Sequence, residues 1–139
     1  MPESAINRRG AVAVIRDGDK LLVIRRAQQV VAPGAYCFPG GGIEPGESEE
    51  EALIRELVEE LHVEVRPHRR LWSSVTPWKV ELVWWLACLP PGSMPVPAPA
   101  EVESFHWHTI DEIGELPELL ESNRQFLAAL ARGEFSLEP

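Results

Sequence analysis

The segment PGGGIEPGESEEEALIRELVEELHV, residues 39–63, constrains the fold more than any other stretch of the chain. Its prolines and glycines are too dense for a long element, so residues 27–47 read as loop around a short strand at 36–38. Behind that loop a helix must start. Ser48 followed three residues later by Glu51 is a capping box, in which each side chain satisfies a backbone N–H of the first turn. Glu49, Glu50 and Glu51 add negative charge at the positive end of the helix dipole. Strand patterns surround this helix. GAVAVIRDGDKLLVIRR reads as a hairpin turning at Asp17-Gly18, a pair that accepts the positive φ hairpins demand. Further strands are expected at 63–66, 69–75, 79–89 and 102–108, with the proline-rich PPGSMPVPAPA as an exposed loop before the last of them. A short helical turn and a terminal helix from near Pro117 to near Gly133 close the chain. Strands precede, flank and follow the helix without regular alternation. The predicted fold class is therefore α/β (α+β), a mixed sheet between helices rather than a doubly wound parallel one.

At 139 residues the chain has the length of one domain, 1–139. A net charge of −9 repels nucleic-acid backbones and anionic membranes, so a phosphate-bearing ligand needs a local device such as a metal, an arginine or a helix N-terminus. Neither a nucleic-acid polymer nor a membrane is expected as partner. Cys37 and Cys88 lack metal-type spacing, and the N-terminus MPESAINRRG lacks an apolar stretch, which points to the cytoplasm. The longest apolar run, from Leu82, ends in prolines well short of a membrane span.

Crowded glutamates repel by roughly 4 kcal/mol for a pair about 4 Å apart at an effective dielectric near 20. Part of the charge is accounted for by the helix start. At about 100° per residue, Ile54, Leu57, Val58 and Leu61 gather on one side and are expected to face the core. Ala52, Glu56, Glu59 and Glu60 gather roughly opposite, with Arg55 at the edge to hold a carboxylate rotamer. Such a face suits a hard cation, which takes one or two protein carboxylates plus substrate phosphates. A glutamate-rich helix is ordinarily just a solvated face. The glycines argue otherwise, because they let backbone approach a ligand or another strand closely.

Gly41, five residues, Glu47, seven residues, then Arg55-Glu56-Leu57-Val58-Glu59-Glu60 closely resembles the Nudix box of the MutT-like hydrolases, here about residues 41–63. The resemblance is tight over the box and loose elsewhere, through the hairpin, the FPGG entry and Trp107. It implies an α/β/α sandwich around a central mixed sheet. It also implies Mg²⁺- or Mn²⁺-dependent hydrolysis of a nucleoside diphosphate linked to another group, by water attack on phosphorus. By the same resemblance Glu56, Glu59 and Glu60 hold metal, and one carboxylate among them accepts the proton of the water. Glu47 supports the site or binds metal, Gly40 offers a carbonyl to metal, and Arg55 orients the carboxylates. His62 departs from the family's glycine at the helix end, where a left-handed residue is required. Replacing it by glycine is expected to stabilise the chain modestly. Tyr36 stands where many relatives carry tryptophan.

Other candidates carry less. Glu101 and Glu103 precede the late strand, where many Nudix enzymes place an additional carboxylate; a solvated strand end is the alternative. Trp78 is the best placed of the tryptophans to stack on a base, the others being expected in the core or on a sheet face. Arg25 or Arg26 can contact a phosphate or simply end a strand in solvent. Cys37 and Cys88 read as small core residues, and His68, His106 and His108 show no ligand spacing. The expected partner is a small-molecule nucleotide, with the protein a monomer or a homodimer. Two rivals remain: a Nudix-fold nucleotide-binding or regulatory module with little or no hydrolase activity, and isopentenyl-diphosphate isomerase chemistry. The complete carboxylate set opposes the first, and no paired cysteine and glutamate supports the second.

Overall fold

The structure, a computed structural model, describes residues 8–139. The N-terminal reading above falls mostly on residues 1–7, outside the described residues. Along the chain run β1 (Arg8–Asp17), β2 (Lys20–Arg26), β3 (Tyr36–Cys37), β4 (Gly40–Gly42), α1 (Glu49–Leu61), β5 (Arg66–Val75), β6 (Val80–Cys88), β7 (Val102–Thr109), α2 (Ile110–Gly114) and α3 (Glu121–Ala131). β1 and β2 form the expected hairpin, but only Arg16↔Leu21 and Asp17↔Lys20 pair before the strands part. β1 then lies between β6, its parallel neighbour, and β4, its antiparallel one. β2 lies between β3 and β7, both antiparallel, and β5 pairs with β6.

Strand alternation divides the core between the two faces of this mixed sheet. Ala11, Ala13 and Ile15 of β1 point towards Leu53, Leu57 and Leu61 of α1. Val14, with Val23 and Trp84, points the other way, against Ile113 of α2 and Phe126 of α3. Phe126 stacks between Trp84 (centroids 4.7 Å apart) and Phe135 (4.8 Å). The architecture is thus an α/β/α sandwich with a central mixed sheet, as expected.

Several local expectations are corrected. α1 is turned by one ridge: the i, i+4 rows 52–56–60 and 53–57–61 face inward, burying Glu56 and Glu60, while Ile54 and Val58 are 41% and 42% exposed. The glycine stretch, read as loop, is strand β4, where the missing side chain of Gly41 leaves the space that the Glu56 carboxylate occupies. No strand forms at 63–65, and β5 begins at Arg66. Val63 and Val65 are instead buried anchors that carry the chain from α1 to β5. α3 starts later than Pro117 because the preceding residues add to the sheet: Tyr36 N–H donates to Glu118 O and Leu120 N–H to Tyr36 O, both at 3.0 Å. Cys37 is buried, but Cys88 is exposed at the end of β6, where the strand runs out into prolines. Among the described residues no helix is long and apolar enough to cross a membrane.

Candidate active site

The site begins at β4. A Cβ on Gly40 would stand 2.1 Å from Ala11 O, so only glycine lets this strand lie flush against β1. On Gly41 it would stand 2.3 Å from the Glu56 carboxylate, which rests on the bare α-carbon. The helix that brings Glu56 is fixed at both ends. Ser48 and Glu51 complete the capping box, and His62 closes the C-terminus in the left-handed region, at φ 55° and ψ 37°.

Glu56 and Glu60, one turn apart, meet Glu101 from the segment before β7, with ligand oxygens of all three within 4.8 Å of one another. Glu60 accepts the Gly40 N–H at 3.1 Å. Burial and then the neighbouring Glu56 push the Glu60 carboxyl up to about 8, with Glu101 adding to the rise; the Gly40 N–H and the Arg26 guanidinium oppose it. Glu56 is also raised, again chiefly by burial, despite its 2.9 Å bond from Arg55. Three acids in one half-buried pocket are stable together only when protons or cations share the site.

Arg55 organises the rim. Its Nε and Nη2 hold Glu47 at 2.6 and 2.9 Å, its Nη1 holds Glu56 at 2.9 Å, and its Nη2 also reaches Gly42 O at 2.8 Å. Those bonds, with the Glu44 N–H, hold the Glu47 carboxyl down at about 2. A planar guanidinium with five donors can do this, and an ammonium cannot.

Of the residues anticipated from sequence, Glu56, Glu60 and Glu101 come together, and Gly40 meets the cluster through its N–H. Glu47 stands one guanidinium away. Glu59 is exposed and turned to Arg55 at 3.3 Å, outside the three-carboxylate cluster. Glu103 is also separate, paired with Arg25 at 3.3 Å. Arg25 is further engaged by Gly34 O and the Tyr36 ring; Arg26 donates from Nε to Val31 O at 2.6 Å, and its charge acts on Glu60. Trp78 is 74% exposed at the β5–β6 turn and belongs to no cluster here. Asn123 was missed: buried on α3, it accepts the Phe38 N–H at 2.9 Å and ties that helix to the entry of β4. No local pattern marks a contact spanning 85 residues. Beside β4 a cavity of about 290 Å³ opens, lined among others by Arg9, Arg26, Phe38, Leu82 and Asn123.

The donor set of the cluster is all oxygen and anionic, which fits Mg²⁺ or Mn²⁺ and not a soft metal. Comparison with known proteins bears on the family of the chain. Residues 6–130 match the family profile described as NUDIX domain. The NAD-capped RNA hydrolase NudC of Stutzerimonas stutzeri is 34% identical over 106 residues, 76% of this chain and 38% of that protein. The NAD-capped RNA hydrolase NudC of Deinococcus radiodurans is 32% identical over 108 residues, 78% and 38% respectively. The chain thus spans about 38% of the length of these curated relatives. Among solved structures, the MutT protein from Methanosarcina mazei Go1 aligns with a TM-score of 0.76 over 90% of this chain and 93% of that one, at 20% identity. The E. coli ORF135 protein gives 0.75 over 96% and 94%, at 24% identity. At these identities the structural likeness is one of fold.

Proposed function

The chain belongs to the Nudix family, and from that premise we propose that it is a divalent-metal-dependent pyrophosphohydrolase acting on a nucleoside diphosphate linked to another group. The observation that carries the proposal is the meeting of Glu56, Glu60 and Glu101 beside β4, with Glu56 resting on the bare α-carbon of Gly41 and Glu60 accepting the Gly40 N–H. These three carboxylates would hold Mg²⁺ or Mn²⁺, with Glu47 and Glu59 in supporting places at the rim. When bound, the cation supplies neutralisation of the phosphates and polarisation of the P–O bond under attack. Arg55 keeps Glu47 and Glu56 in fixed rotamers throughout. Glu56 takes the proton of the attacking water, because it lies in the cluster while Glu59 turns away to Arg55. As water's oxygen bonds to phosphorus, the bridging P–O bond breaks and one phosphate product leaves. Arg26, the strand-end arginine nearest the carboxylates, contacts non-bridging phosphate oxygens.

The cavity beside β4 is the proposed seat of the nucleoside, its apolar walls covering the base and its arginines facing phosphate. The strong negative charge favours small nucleotides over a polymer, in a protein of the cytoplasm. The curated relatives are named for NAD-capped RNA, so that substrate belongs in the test beside NAD, nucleoside triphosphates, dinucleotide polyphosphates, ADP-ribose and nucleotide sugars. Purified protein assayed on this panel with Mg²⁺ or Mn²⁺ should release a phosphate product from at least one member. Undiminished hydrolysis in EDTA, or none on any member with either metal, overturns the proposal.

A further inference from the structure

The residue that breaks the box, His62, is joined to the proline-rich segment that delivers Glu101. Its Nδ1–H donates to Val96 O at 2.7 Å. Around this bond the segment is stitched to the end of α1, for Val96 N–H donates to Leu61 O at 2.8 Å and Ala98 N–H to Glu60 O at 2.9 Å. Two carbonyls that a helix leaves without partners are thereby satisfied. Pro95, Pro97 and Pro99 alternate with these donors. Prolines have no N–H and a fixed φ, so the segment has few other conformations to occupy. Beyond Ala98 one turn follows, with Glu101 N–H donating to Ala98 O at 2.9 Å, and the Glu101 carboxylate then enters the cluster. The route from His62 to Glu101 is a continuous run of short bonds.

We propose that His62 is a positioning residue, whose imidazole latches the proline segment onto the end of α1 and so sets Glu101 against Glu56 and Glu60. The inference rests on the reading of this cluster as a metal site. A glycine at the same place would close the helix equally well and would leave the segment held by backbone bonds alone. The imidazole therefore has a second task besides adopting the left-handed turn.

A double-mutant cycle tests this, with Mn²⁺ alone as the probe and calorimetry as the readout. His62→Gly keeps the helix end and removes the latch, and should weaken Mn²⁺ binding roughly three- to tenfold, the loss of about one net hydrogen bond. His62→Asn carries an amide donor on Cγ, where the imidazole carries Nδ1, and tolerates the left-handed turn; it should bind nearly as the native chain does. In a Glu101→Gln background, His62→Gly should weaken binding no further. Without metal, amide exchange at Val96 and Ala98 should quicken in His62→Gly and not in His62→Asn. Unchanged Mn²⁺ affinity in His62→Gly, or an equal loss on top of Glu101→Gln, overturns the latch. If the native chain binds no Mn²⁺, it is the functional reading that fails. Amide exchange still decides the latch, which is lost if protection in His62→Gly is undiminished.

Discussion

Glu60 sits in the sharpest electrostatic conflict of the molecule. Its folded-state pKa, raised from 4.5 to about 8 by burial and by Glu56, fixes the sign of its effect on stability. A raised value means that the folded chain holds the proton more tightly than the unfolded one. The contribution is fully present below about 4.5 and is lost as pH rises through about 8. Glu60→Gln should therefore leave metal-free stability at pH 4 nearly unchanged and raise it at pH 9, by roughly 1–3 kcal/mol in urea titrations, on the scale of an unsatisfied buried group. The same variant should lose turnover by roughly 100-fold or more. Glu101 and Glu103, two positions apart, take separate places. From sequence they were an undivided pair. The register shift at Arg25/Arg26 and the Arg25 ion pair take Glu103 away, and the turn after Ala98 brings Glu101 in. Glu101→Gln should lower kcat more than it raises KM, whereas Glu103→Gln should leave both within twofold; equal effects would remove the distinction.

At the scale of elements, α1 and β4 work as a pair. The capping box was legible because it depends on residues within one turn, whereas the left-handed end at His62 was expected from the family resemblance. The buried face was not. An apolar count puts Ile54 and Val58 inside, yet the sheet receives Glu56 and Glu60: Gly41 leaves room for the Glu56 carboxylate, and the Gly40 N–H holds Glu60. Reading Gly40–Gly42 as loop and misjudging the helix face were one error with one cause: a strand without side chains carries no hydrophobic period. The seat of Glu56 on Gly41 gives a direct test. Gly41→Ala would place a Cβ 2.3 Å from the Glu56 carboxylate and must move it. Gly41 has no need of positive φ, so the fold should tolerate the methyl group. The expected outcome is a loss in kcat of roughly 10- to 100-fold, the scale of an ångström's misplacement, with little change in melting temperature. A full-speed variant would show that Glu56 need not lie where it does.

For the whole molecule, the two cores divide the labour. The aromatic side, built on Trp84, Phe126 and Phe135, has no carboxylate among its buried residues, and the α1 side borders all the acids of the cluster. Cation binding should accordingly act on global stability. At about a hundredfold over Kd, Mn²⁺ should stabilise the folded chain by about 3 kcal/mol, roughly 10 °C in melting temperature; no shift at saturation would count against a preformed site. The mixed sheet itself was legible from the irregular order of strands and helix, while its pairing was not, since β1 finds its long parallel partner far along the chain. Arg9 and Glu81 face each other across that pairing, 72 residues apart in sequence. Their distance bears on how the chain reaches its fold. The central strand cannot gain its main neighbour by local zippering: a loop holding half the protein must close first, at an entropic cost repaid only when β6 arrives. Refolding should then be slower than the helices alone would allow, in milliseconds to seconds. During synthesis β1 must wait for β6, its edge open to any passing strand, until residues 80–88 have been made.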